Sequence, residues 1–374
     1  MGLIFGGKST EHEISIISAM HVLHFIDRQR YSVVPIYVSK EGKFYTHEAL
    51  LNISTFRSLE KISDLCKEVI LSPGGGSNKA FFLSRDKEFL QIDILLPVFH
   101  GLNGEDGTMQ GLFEILNVPY TSCPVLASAI CNDKVVFKFV MQSIGVPVLE
   151  FAWFNKWDWD DNKKDIISTI CQGIGFPVVV KPDSSGSSIG ISTAKREEEL
   201  EESVHNALKY GERIVIEPLL TNFREVNCAV IGRRNEIIVS EAEEEIPFED
   251  ILTFWDKYHD HRKYNFPTTV SEEIRETICA LSKRIYRSID CKGTVRMDYF
   301  YDETSRKVYI NEINTIGGAL SYDLWEGSGK NFTEVIDSMV DEAMYRYKNK
   351  QNLSYSNECD IDIEECLSND ALLL

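Results

Sequence analysis

An α/β fold is what this chain predicts, on two observations. Short apolar runs of strand character alternate along it with segments whose apolar residues recur at helical spacing. Its 374 residues are 43% hydrophobic, enough to bury a large core spread over two or three domains.

The elements follow in order. Leu3-Ile4-Phe5 is the first strand-like run and leads into Gly6-Gly7. A helix over residues 13–24 comes next, with Ile14, Ile17 and Val22 as its apolar side. Strands are expected at residues 33–38 and 92–99. Each contains a proline, Pro35 or Pro97, so an edge position or an irregular ladder is expected for both. Pro73-Gly74-Gly75-Gly76-Ser77 between them reads as a loop. The chain turns around residues 120–124, and one helix over residues 125–144 carries Asp133-Lys134, with a first domain boundary nearby. Phe176-Pro177-Val178-Val179-Val180 is a buried strand that runs into Lys181-Pro182, and residues 213–218 form another. Ser271, followed by Glu272 and Glu273, suits the cap of a helix whose Ile274, Ile278, Leu281 and Ile285 make a core stripe. From Lys348 the chain turns polar and acidic and reads as a disordered tail.

Composition excludes several classes. A formal net charge of −19 argues against non-specific binding to nucleic acid or anionic membranes. Nine cysteines, an odd number without a Cys-x-x-Cys pair, fit neither a disulfide framework nor a zinc site, and a reducing cytoplasm is the expected setting. The N-terminus lacks the apolar core of a signal peptide, and no stretch has the length of a membrane span.

The most informative segment runs from Arg296 to Asn314. Two strand-like flanks enclose a polar turn, and a turn about Ser305 puts Asp298 opposite Glu312 and Arg296 opposite Asn314. All four then share one face, with Phe300 and Ile310. Facing carboxylates repel unless a cation lies between them, and such hard oxygen donors suit Mg²⁺; the alternative is a solvated acidic hairpin. Next comes Lys181-Pro182-Asp183-Ser184-Ser185-Gly186-Ser187-Ser188-Ile189-Gly190, where a buried strand delivers a lysine to a Gly/Ser loop rich in hydrogen-bond donors. Such a loop cradles phosphate, or is a plain surface turn. Glu217 with Pro218-Leu219-Leu220, and Glu225 beyond, place carboxylates where adenine and ribose groups can be held, or where they are merely solvated. Two further motifs are Gly6-Gly7-Lys8-Ser9-Thr10-Glu11-His12-Glu13-Ile14-Ser15 and His100-Gly101-Leu102-Asn103-Gly104-Glu105-Asp106-Gly107.

The order and types of these motifs, with Asn132-Asp133-Lys134, resemble the D-alanine–D-alanine ligase family of ATP-grasp enzymes, from Leu3 to about Lys348. The resemblance implies a three-domain ATP-grasp fold: an N-terminal α/β domain at 1–122, a central domain at 123–217, and a C-terminal domain at 218–347 before an acidic tail at 348–374. It implies ATP between the last two domains, two Mg²⁺ ions replaceable by Mn²⁺, and small D-amino acid substrates. A cytoplasmic enzyme of peptidoglycan synthesis is expected, without nucleic-acid partners or membrane insertion, and compatible with a homodimer.

Roles carry over by position. Lys134 and Lys181 match phosphate-holding lysines, Ser188 belongs to the phosphate loop, and Glu217, Leu220 and Glu225 match the adenine and ribose contacts. Asp298, Glu312 and Asn314 match the magnesium ligands. Glu11 matches the group that holds the first substrate's ammonium, near His100, and forms a triad with Ser187 and a lid tyrosine. Arg296 and the Gly318 N–H match the pair that stabilises the acyl oxyanion.

Two places depart from the family pattern. The lid offers two Lys-Tyr pairs; counting back from Phe266-Pro267 favours Lys257 and Tyr258 over Lys263 and Tyr264. After Asn314, where the family has a Pro-Gly-Met turn and a Ser-x-Ser pair for the second substrate's carboxylate, this chain reads Thr315-Ile316-Gly317-Gly318-Ala319-Leu320-Ser321-Tyr322-Asp323. Asp323 then stands in place of the last serine, and at about 4 Å a carboxylate pair costs roughly 4 kcal/mol at an effective dielectric of 20. Either Asp323 faces the acceptor, or Ser321 serves alone and Asp323 turns to solvent.

Overall fold

The computed structural model describes residues 1–76, 79–83, 88–184, 186, 188–233, 236–246 and 263–354. The first sheet holds β1 (Gly2–Gly6), β2 (Val34–Val38), β3 (Phe44–Thr46), β4 (Lys67–Leu71), β5 (Phe81–Leu83) and β6 (Leu95–Phe99), in the order β5-β4-β3-β2-β1-β6. The second holds β7 (Ala152–Asn155), β8 (Val178–Pro182), β9 (Ser192–Ala194) and β10 (Arg213–Pro218), in the order β7-β10-β8-β9. The third comprises β11 (Phe223–Arg233), β12 (Glu236–Val239), β13 (Glu243–Ile246), β14 (Lys263–Asn265), β15 (Thr294–Asp302) and β16 (Lys307–Asn314), in the order β14-β13-β11-β15-β16 with β12 beside β11. Helices pack on these sheets, as the alternating pattern predicts.

In the first sheet Leu3, Ile4 and Phe5 are fully buried, which explains the unbroken apolar run. Pro97 lies on the edge strand β6, as expected, but Pro35 sits on the internal strand β2. Val34 N–H donates to Met1 O, so the Pro35 nitrogen faces the other way, toward β3. Pairing with β3 starts only at Tyr37, so the missing donor falls outside that ladder.

The first helix is His12–Phe25, close to the expected bounds, but its buried face is His12, Ser15, Ile16, Ser18, Ala19 and Val22, whereas Ile17 is 58% exposed. Two serines on that face were hidden from an apolar pattern because they bond inward. Ser15 Oγ donates to Val98 O at 2.6 Å and accepts from Gly6 N–H at 2.8 Å, and Ser18 Oγ meets His100 Nε2 at 2.9 Å. His12 joins them, its Nδ1 2.6 Å from Gly7 O and its Nε2 3.0 Å from Tyr37 OH. Gly6 has φ +96, and a Cβ there would stand 2.3 Å from Val38 O, so only glycine permits this strand-to-helix turn.

The single helix expected at 125–144 is two, Val125–Asn132 and Lys134–Ser143. Asp133 breaks it at φ −88, ψ 104, and its Oδ1 accepts from Val135 and Val136 N–H as an N-cap. The helix Glu272–Ser288 begins after Ser271, although the first-turn contacts go to Ser271's carbonyl and not its hydroxyl. The last helix, Phe332–Gln351, runs into the segment read as tail; Lys350 pairs with Glu114 there. The rest of the expected tail, 355–374, lies outside the described residues. Among the described residues no helix is long and apolar enough to cross a membrane.

Candidate active site

The β15–β16 hairpin forms the floor of the site. Arg296 pairs with Asn314 and Asp298 with Glu312, as the sequence predicts. Beyond them a bulge shifts the register, so Tyr299 pairs with Ile310 and Phe300 with Tyr309. Phe300 therefore does not share the face of Ile310; the irregularity turns Tyr299 and Ile310, both fully buried, into the core and leaves the polar quartet on the other face.

Within the quartet, Arg296 Nε and Nη2 donate to the two oxygens of Asp298 at 2.8 Å each, and Asn314 Nδ2 donates to Asp298 Oδ2 at 3.0 Å. Burial opposes the Arg296 charge, but Asp298, then Glu312 and Glu243, hold its pKa well above the usual value. The row continues across the sheet: Asn227 on β11 stands opposite Asp298, and Glu243 on β13 opposite Asn227. Glu243, Asn227, Asp298 and Glu312 thus line up over four neighbouring strands.

Among the described residues no group of three or more His, Cys, Asp or Glu is arranged to hold a metal. The donors present at the floor, Asp298, Glu312 and Asn314, offer carboxylate and carboxamide oxygens, a set suited to a hard divalent cation.

Above the floor lies a cavity of about 370 Å³. It brings together Glu11, His100, Glu225, Arg296, Glu312, Asn314, Gly318, Ser321 and Asp323, nine of the residues singled out from sequence. Glu11 is 6% exposed, and its carboxylate fits between two glycines: a Cβ would come within 2.5 Å of it at Gly101 and 2.8 Å at Gly186. The phosphate loop and the loop after β6 therefore meet at Glu11. His100 is buried, and burial, then Arg296, lowers its pKa to about 4, which leaves a neutral imidazole at neutral pH.

Glu105 fastens two loops together. Its carboxylate accepts from Gly101 N–H at 2.8 Å and from Ile316 N–H at 3.2 Å. Burial, then the charge of Glu11, raises its pKa to about 8 against those two donors.

Lys134 and Lys181 come together because Lys134 N–H donates to Asp183 O at 3.0 Å and Arg213 binds both Asp133 and Asp183. Lys134 also lines a small cavity with Glu312 and Asn314. Burial lowers the Lys134 pKa, and Glu312 works against that. Lys181 Nζ stands 2.5 Å from Glu217 Oε2, and Lys138 pairs with the other oxygen. Burial would raise the Glu217 pKa, but the charges of Lys138 and Lys181 outweigh it and hold it at about 2. Leu220 follows β10, and the preceding Leu219 N–H is taken by Pro177 O at 2.9 Å.

After β16 the chain makes a turn strained for its residue types. Ala319, Leu320 and Ser321 have φ of 44, 57 and 59, left-handed values that cost roughly 1–2 kcal/mol each without glycine. The turn buries Ser321, whose Oγ has no hydrogen-bond partner, and leaves Asp323 exposed at the cavity mouth. Water around Asp323 cuts the repulsion expected from sequence toward roughly 1 kcal/mol at 4 Å. Ser188 is described, with φ 59, and Tyr264 is 51% exposed on β14 opposite Glu245. Ser187, Lys257 and Tyr258 lie outside the described residues.

Among the described residues that line or brace the site, Lys138, Glu105, Asn227 and Glu243 are notable ones without a role assigned from sequence. Lys138 had a signal, since it falls one helical turn after Lys134. Asn227 had a weaker one, two positions along a strand from Glu225. Glu243 sits in a run of three glutamates whose facing only the β11 pairing reveals.

Comparison with known proteins bears on the whole chain. The family models described as D-ala D-ala ligase N-terminus and D-ala D-ala ligase C-terminus match residues 1–123 and 140–366. A D-alanine–D-alanine ligase of Caldicellulosiruptor bescii is 39% identical over 366 residues, 96% of this chain and 98% of that protein. One of Thermosipho melanesiensis is 37% identical over 95% of this chain and 96% of its own length. Among solved structures, the D-alanine–D-alanine ligase of Coxiella burnetii superposes with a TM-score of 0.80 at 27% identity, covering 99% of this chain and 98% of that one. The VanG D-Ala:D-Ser ligase of Enterococcus faecalis gives 0.79 at 30% identity, covering 91% and 98%. The fold is accordingly that of the ATP-grasp ligases. The chain belongs to the D-alanine–D-alanine ligase family.

Proposed function

We propose that this protein is a cytoplasmic, ADP-forming ligase that joins D-alanine to a second D-amino acid, D-alanine or D-serine, for peptidoglycan precursors. The observation that carries the reading is the convergence of Glu11, Arg296, Gly318, Glu312 and Asn314 on one cavity, with Asp298 bonded to Arg296 and Asn314 at its floor, in a chain of this family. Asp298, Glu312 and Asn314 would hold Mg²⁺, which when bound neutralises phosphate charge.

The residues divide the chemistry by charge. Glu11, between Gly101 and Gly186, binds the ammonium of the first D-alanine and holds its carboxylate toward the nucleotide. Lys134 and Lys181 position the phosphates, and Glu217 and Glu225 face the adenine and ribose side. The carboxylate attacks the γ-phosphorus, the bond to the β,γ-bridging oxygen breaks and ADP leaves with that electron pair, giving an acyl phosphate, an electrophile that the free acid is not. Neutral His100 lies beside it without adding charge. When the second amine attacks, negative charge develops on the acyl oxygen, and Arg296 with the Gly318 N–H stabilises it. Closure over the cavity keeps water from the acyl phosphate; Lys257 and Tyr258 are the lid residues in this reading.

The test is to incubate the protein with ATP, Mg²⁺ and D-alanine, with and without D-serine, and to measure ADP and dipeptide. Equimolar ADP and a D,D-dipeptide are expected. ADP release that ignores D-amino acids would overturn the proposal.

A further inference from the structure

Asn227 is 2% exposed, lines the cavity with Arg296 and Gly318, and its Oδ1 has no hydrogen-bond partner. A buried oxygen left so costs about 1–3 kcal/mol, so a ligand N–H or O–H belongs there. Its cross-strand neighbour Glu243 is 3% exposed and lines the same cavity. Glu243 also acts by charge on Arg296, the guanidinium placed at the acyl oxygen.

The other carboxylates of the cavity are engaged differently in the proposed reaction. Glu312 belongs to the cation set, Glu225 to the ribose side and Glu11 to the first substrate's ammonium. Glu105 is fastened to two backbone N–H groups, and Asp323 is exposed at the mouth. Glu245 lies two residues further along β13, opposite Glu225.

A D-amino acid acceptor arrives as an ammonium at neutral pH and cannot attack until it loses a proton. Resting on the ligase reading above, we infer that Glu243 receives the acceptor's ammonium and takes that proton, while Asn227 Oδ1 holds a second N–H. One proton passes from nitrogen to the Glu243 carboxylate, and the freed lone pair forms the C–N bond at the acyl carbon. The adduct collapses, the bond from carbon to the phosphate oxygen breaks, and phosphate leaves with that electron pair. The second proton lost by nitrogen departs with phosphate, and Glu243 returns its own to water. Among the described residues, the charged side chains that line the cavity with Glu243 on its own sheet are Glu225, Glu245, Arg296 and Glu312, three carboxylates against one guanidinium, so the cationic ammonium enters a field that attracts it.

The test replaces the charged nucleophile by a neutral one. Hydroxylamine, uncharged at neutral pH, traps the acyl phosphate as a hydroxamate without needing a base. Glu243→Gln is expected to lower kcat/KM for the D-amino acid acceptor by about 10²-fold or more, with hydroxamate formation from D-alanine and ATP kept within about twofold. Glu243→Asp should restore part of the ligation, and Asn227→Ala should lower ligation selectively; these two carry the comparison if Glu243→Gln does not fold. Equal losses with both nucleophiles, or unchanged ligation, would overturn the inference. Failure of the unaltered enzyme to form any hydroxamate would instead remove the ligase reading on which it rests.

Discussion

Substituting Glu217→Gln removes one negative charge from between two buried lysines, and the structure sets the size of the effect. Side-chain exposure is 2% for Glu217, 4% for Lys138 and 12% for Lys181, so water cannot replace the lost charge. At 2.5 Å the Lys181 contact alone has a gross attraction of about 7 kcal/mol at an effective dielectric of 20. Desolvation offsets much of that, and breaking such a pair by removing one partner costs about 3–5 kcal/mol. The escape route gives a similar figure: one lysine, ordinarily at 10.5, must lose its proton by pH 7, which costs about 5 kcal/mol. A loss of about 3–5 kcal/mol is therefore expected in urea unfolding at pH 7.

The pH dependence has a definite sign. Glu217 is held at about 2 in the folded chain against an ordinary 4.5, so its contribution is complete above 4.5 and is lost as pH falls toward 2. The gap between the parent and Glu217→Gln should shrink over that window. Replacing Lys138 by Met in the Gln background should recover part of the loss, because it removes one of the stranded charges. A destabilisation under about 1 kcal/mol, or a gap that ignores pH below 4.5, would refute the reasoning.

Other outcomes follow from the same geometry. Arg296→Lys keeps the charge but cannot make both contacts to Asp298, and a fall in kcat of about 10²–10³-fold in steady-state assays is expected. His100 is held at about 4 against an ordinary 6.5, so its neutral burial favours the fold above 6.5 and loses that advantage as pH drops to 4, by about 3 kcal/mol. His100→Gln should flatten that part of the stability profile, as read by thermal unfolding. Ser321→Ala removes a hydroxyl that has no partner, so it should leave stability within about 0.5 kcal/mol and raise the acceptor's KM. Tyr258→Phe should lower ligation more than Tyr264→Phe; the reverse order would move the lid assignment to the exposed tyrosine of β14.

How far the sequence could be read depends on the kind of information each feature needs. The hairpin was legible because period-two facing is a local property, and the pairs Asp298–Glu312 and Arg296–Asn314 follow from one turn. The bulge was not, since nothing in residues 308–312 marks the extra residue. The helix break at Asp133 had a visible cap residue, but the apolar run on both sides masked it. The burial of Ser15 and Ser18 was not legible, because it depends on Val98 and His100, more than eighty residues away. For Pro35 the edge alternative failed and the irregular ladder held, and choosing between them required knowing where β3 stops. The site residues most visible in sequence were charged residues set beside strand, loop and helix-start patterns, such as Lys181, Asp298, Glu312 and Lys134. Lys138, Glu105, Asn227 and Glu243, whose places depend on pairings between distant elements, needed the strands and helices to be assembled first.

The central claim, ligation through an acyl phosphate, is tested most directly by labelling both carboxylate oxygens of D-alanine with oxygen-18. The acyl phosphate mechanism predicts that each dipeptide formed releases one phosphate bearing one heavy oxygen from the first substrate. Unlabelled phosphate accompanying dipeptide would contradict it.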